Sequence, residues 1–89
     1  MTEELKNELI KASETYLNGT WTCSLINGFL SKAKTDAQKT IDSELLKFLE
    51  DWIDVNDSNW NEWGHRKAPI SDEDYKVYLK KQIETLKRL

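Results

Sequence analysis

Thr20-Trp21-Thr22-Cys23-Ser24-Leu25-Ile26-Asn27-Gly28-Phe29-Leu30-Ser31-Lys32-Ala33-Lys34 decides the fold, because it admits two readings. Asn27-Gly28 between two apolar runs is the strongest short-range signal for a two-residue β-hairpin. As paired strands, however, Trp21, Cys23 and Leu25 would stand opposite Lys34, Lys32 and Leu30, a poorly matched surface. Wound as a helix, Trp21, Leu25, Ile26, Phe29, Leu30 and Ala33 cover one continuous side and leave Ser24, Asn27, Gly28, Ser31 and Lys34 on the other. The helix is the better solution, at a cost of about 1 kcal/mol for Gly28 in its interior. A hairpin over 20–34 would make the fold α+β instead.

The segments on either side are helical by the same criterion. Upstream, Leu5, Leu9, Ala12 and Tyr16 recur at three- and four-residue spacing, Thr2 can cap the start, and Asn18-Gly19 supplies a left-handed stop. A first helix from Glu3 to Asn18 follows. Downstream, Thr35-Asp36-Ala37-Gln38 has the capping-box pattern, with a second start at Asp42-Ser43. From there Ala37, Ile41, Leu45, Phe48, Leu49, Trp52 and Ile53 span about half of a helix circumference, wider than a surface helix needs. Such a helix packs on two sides and is expected at the centre of the core, ending near Asp54. Residues 54–70 read as one long irregular connection, the length at which loops are functional or locally structured. Ser71 then caps a last helix, with Tyr75, Tyr78, Leu79, Ile83, Leu86 and Leu89 as its apolar stripe. The expected architecture is all-α, a small bundle of about four helices in one domain over 1–89 with one long loop.

The chain has 89 residues, 38% apolar and 33% charged, with one Cys, one Pro and four Trp. This is too apolar and aromatic for a disordered chain and too short for a separate cofactor domain. The lone Cys23 excludes an internal disulfide, and a reducing compartment, the cytoplasm, is the natural setting. The first residues lack the pattern of a signal peptide, and no apolar run is long enough to span a membrane. The net charge of −3 is unevenly distributed. Residues 1–40 balance, 41–64 carry −6 and His65 to Leu89 carry +3.

The long connection holds the residues with the most chemistry. Asp54-Val55-Asn56-Asp57-Ser58-Asn59 places oxygens at the first, third and fifth positions, as an EF-hand loop does. Asn59 then stands where Gly is needed and His65 where a bidentate Glu is required, so no metal is expected. No motif for a nucleotide or other cofactor occurs either. Trp60, Trp63, His65, Arg66 and Lys67 form an aromatic and basic cluster, preceded by Asp54 and Asp57 and with Glu62 between the two Trp. Trp and Arg are the residues that anchor protein interfaces, and these eight are the candidate partner-binding set. Two other readings use the same region. The indoles and cations could stack a base and hold a phosphate, although the acidic balance opposes nucleic acid, or the acidic stretch could imitate nucleic acid. Cys23 and His65, the only specialised nucleophile and near-neutral base, are far apart in sequence and lack a supporting motif. The expected role is therefore non-enzymatic: a small acidic protein that binds and modulates another protein, as inhibitors, immunity proteins and antitoxins of phages and mobile elements do. The Trp cluster or the C-terminal stripe also offers apolar surface for a homodimer.

Overall fold

A computed structural model describes residues 1–60 and 71–89, with residues 58–60 described by their backbone alone. Four helices account for nearly all of them: α1 (Glu3–Leu17), α2 (Cys23–Thr40), α3 (Ser43–Trp60) and α4 (Asp72–Arg88). No strand occurs among the described residues, and residues 20–34 form no hairpin. Asn27 and Gly28 lie inside α2, where Gly28 faces solvent with nothing within 4 Å of where a side chain would start.

Local chemistry sets most of the helix ends. The Leu5 amide donates to Thr2 Oγ1 at 3.2 Å, satisfying one of the orphan donors at the start of α1. Gly19, at φ 103°, takes the left-handed turn that ends the helix, and its amide donates to the Tyr16 carbonyl at 3.0 Å. Ser71 caps α4 by accepting from the Asp74 amide at 3.1 Å.

The α2–α3 junction departs from expectation. The Thr35 box starts no helix: α2 runs through it, and the Thr35 hydroxyl donates back to the Ser31 carbonyl at 3.1 Å. The second start is the one used, with Asp42 Oδ1 accepting from the Leu45 amide at 3.1 Å. Ile41 is not a core residue of α3 but the left-handed cap of α2, at φ 55°, with its side chain 89% exposed. A β-branched residue is strained in this conformation, and it is tolerated here because the helices must reverse within two residues.

The helices alternate in direction around a ring, up-down-up-down. Along α2 and α3, Lys34 pairs with Glu50 at 3.9 Å and the Cys23 carbonyl meets Asn56, so the two run antiparallel. At the other side, Tyr16 near the end of α1 meets Asp72 and Tyr75 at the start of α4. All four helices contribute to one buried cluster, including Leu9 and Tyr16 of α1, Ile26 and Leu30 of α2, Leu49 and Trp52 of α3, and Leu79 and Leu86 of α4. The closest packing is between α2 and α3, so α2, which also packs on α1, shares the central place expected of α3 alone. Ala33 and Ala37 are fully buried small residues of α2 in the same cluster.

α3 is longer than the apolar pattern indicates and ends at Trp60, not near Asp54. The reason is Asn56, which continues the buried row of Leu49 and Trp52 despite its polarity. Its Nδ2 donates to the Cys23 carbonyl at 3.1 Å, and its Oδ1 accepts from the Tyr75 hydroxyl. One buried amide thus joins α2, α3 and α4, and with its hydrogen bonds made it can be buried without the usual penalty.

Candidate functional site

Of the residues expected to bind a partner, Trp63, His65, Arg66, Lys67 and Glu62 lie outside the described residues. Trp60 is the last residue of α3 rather than a loop residue. Asp54 and Asp57 are also helical, Asp54 exposed and Asp57 half-buried. The calcium-like spacing over 54–59 therefore lies within α3, on helical backbone and not on the loop that an EF-hand site requires. No cluster of metal-ligating side chains occurs among the described residues.

The described surface offers a different aromatic anchor at the same end of the bundle. Trp21, expected on the core face of α2, precedes that helix and is 50% exposed. Helical periodicity does not apply to it, because α2 begins at Cys23. Leu25, also expected in the core, is 55% exposed. The backbone here is held firmly: the Thr22 hydroxyl donates to the Ala12 carbonyl at 2.8 Å, pinning the start of α2 to α1. The buried Asn56 bond to Cys23 holds the next residue from the other side. Trp21 thus projects from a rigid corner, which lowers the entropy lost when it is covered.

Two recesses flank this corner. Between α1 and α2, Leu25 and Phe29 face Ala12 and Thr15 across an apolar groove of ≈ 270 Å³, with Glu8 and Lys11 at its edge. The Lys32 ammonium lies 5.7 Å from the centre of the Phe29 ring, a cation–π contact that keeps a charge beside the groove. Between α1 and α4, Trp21, Tyr16, Asp72 and Lys76 line a smaller cleft of ≈ 120 Å³. The Tyr16 hydroxyl donates to Asp72 at 2.5 Å and Lys76 pairs with the same carboxylate at 3.1 Å. Those contacts, Tyr16 first, hold the Asp72 carboxyl below its ordinary value, so it is an anion at neutral pH.

Beneath the corner the chemistry is structural. Tyr16 and Tyr75 meet edge to face, their ring centres 5.1 Å apart. Burial pushes the Tyr75 phenol far above its usual value, the Cys23 thiol adds to the effect and the Trp52 indole opposes it. The Trp52 indole N–H is buried and reaches no acceptor at hydrogen-bond geometry among the described residues. Cys23, the candidate nucleophile, is fully buried. The corner combines a half-exposed indole on braced backbone, an apolar groove and a cleft that holds the paired Asp72 and Lys76 charges, which suits recognition of a protein surface.

Comparison with protein families, with curated proteins and with solved structures finds no match. No helix among the described residues is long and apolar enough to cross a membrane.

Proposed function

We propose that this chain is a non-enzymatic protein that works by binding another protein, in the manner of a small inhibitor, immunity protein or antitoxin. The observation that carries the reading is the Trp21 corner, a half-exposed indole on braced backbone just before α2, followed by a half-exposed Leu25 that lines an apolar groove. Large aromatic side chains held rigidly beside apolar recesses are the residues that dominate protein interfaces. Trp60 ends α3 close to where α2 begins, since Asn56, one turn earlier, bonds to Cys23. Any contribution from the Trp60–Lys67 set therefore starts from the same end of the bundle as Trp21.

The test is capture from the source cell with the wild-type chain, Trp21→Ala and Leu25→Ala, each immobilised equally and read by mass spectrometry. A partner held by the wild type and released by both variants, with melting temperatures unchanged, supports the proposal. A loss of thermal stability matching the loss of capture would instead make Trp21 a packing residue.

A further inference from the structure

The acidic and basic parts of the sequence become the two walls of one groove, on a face distinct from the Trp21 corner. α3 and α4 are the most loosely packed neighbours in the ring. They meet at Asn56 and Tyr75 and part toward the start of α3 and the end of α4. The opening, ≈ 230 Å³, has Leu45 and Phe48 on the α3 wall and Thr85 and Leu89 on the α4 wall. Helical spacing puts Glu44 and Asp51 on the side of α3 that bears Phe48. The same spacing puts Lys81 and Arg88 on α4 in the row just outside Thr85. All four are exposed, and the ion pairs among the described residues join Lys6 to Glu3, Lys34 to Glu50 and Lys76 to Asp72, none of them across this groove. Lys47 on α3 is a helical neighbour of both Glu44 and Asp51, and Glu84 on α4 of both Lys81 and Arg88, each one row further from the opening, and Asp74 stands at the far end of α4. The acidic wall is felt on α4: burial, then Asp51 and Asp54, push the Tyr78 phenol up to about 12.

We propose that this face pairs with a second copy of itself about a two-fold axis running along the groove. Rotation about that axis exchanges the walls and preserves height along the helices. Glu44 and Asp51 of one copy then lie over Arg88 and Lys81 of the other, twice by symmetry, while the two apolar openings close on each other. An axis across the groove would set acid on acid and base on base. A ligand of a single sign, whether polyanion or basic peptide, would match one wall and be repelled by the other. A face that carries both signs in parallel rows is complementary to its own copy.

The test is sedimentation equilibrium at about 10 mM and about 300 mM salt, since rows of exposed charge are felt strongly only at the lower value. The wild type should dimerise at low salt and weaken at high salt. Glu44→Lys with Asp51→Lys makes both walls basic, and Lys81→Glu with Arg88→Glu makes both acidic. Each double variant alone should lose about a hundredfold in affinity through four repulsive contacts. An equimolar mixture of the two should recover a 1:1 heterodimer. The positions are exposed, so circular dichroism should report the wild-type helix content. If a double variant fails to fold, Glu44→Gln and Arg88→Gln should each weaken the dimer by a smaller factor. A wild type still monomeric at about 1 mM, a dimer indifferent to these substitutions, or well-folded double variants that stay apart when mixed overturns the proposal.

Discussion

Replacing Gly28 by Ala tests the segment on which the fold depends. Gly28 is exposed in the interior of α2, its φ is not positive, and a new methyl group would meet no atom within 4 Å. No contact is lost or strained, so the effect comes from helix propensity and from fewer conformations in the unfolded chain. Together these amount to about 1 kcal/mol in favour of Ala. For a domain of this size, 1 kcal/mol raises the melting temperature by roughly 4–8 °C. Gly19→Ala is the internal control, because Gly19 sits at φ 103° and a side chain there is strained even though space is open. It should destabilise by about 1–2 kcal/mol. Thermal and urea unfolding followed by circular dichroism measure both. In a hairpin, Gly28 would occupy a turn position with positive φ, and Ala would cost stability as it does at Gly19. Destabilisation by Gly28→Ala would therefore refute the helical reading of residues 23–40.

Three further outcomes are expected. Ile41→Gly removes the strain of a β-branched residue at φ 55° without uncovering any core, and should stabilise by roughly 0.5–1 kcal/mol in urea unfolding. Tyr75→Phe leaves the buried Asn56 carbonyl oxygen without its donor and should cost about 1–3 kcal/mol in the same assay, whereas Tyr78→Phe should cost less. Unfolded tyrosines ionise near pH 10, while folded Tyr78 keeps its proton to about pH 12 and Tyr75 keeps its own still longer. Above pH 10 the folded chain binds more protons than the unfolded one, so this stabilisation is complete below pH 10 and is lost as the pH rises. Tyrosinate absorbance should show Tyr75 ionising only together with the loss of helical signal.

Features governed by neighbouring residues are legible in the sequence. Thr2, Gly19 and Ser71 act as their residue types dictate because each needs only atoms within one helical turn. What the sequence hides depends on distant partners. Thr35 has the pattern of a cap, but its hydroxyl finds the Ser31 carbonyl because α2 is already in place above it. Asn56 looks like the end of an apolar stripe until Cys23 and Tyr75 supply its hydrogen bonds. Ile41 breaks the rule that glycine ends a helix in the left-handed conformation, so nothing local marks it. The Trp21 corner is missed because apolar spacing says which side a residue takes once helical, not where the helix begins. The acidic and basic halves are visible as charge, but only the alternating direction of α3 and α4 turns them into facing walls.

The single amide at Asn56 also decides which of several similar bundles this chain adopts. A seam of Leu, Ile and Ala alone can slide by one helical turn, about 5.4 Å, and still bury nearly the same oily area. Such a slip here would carry the amide away from both partners and strand its donor, its acceptor and the Tyr75 hydroxyl in a dry interior. Two adjacent seams, α2–α3 and α3–α4, are thus indexed by one side chain, like a pin through two plates. An apolar residue at position 56 would remove that pin, and the expected result is several interconverting alignments, seen as broadened amide resonances, before any loss of helix.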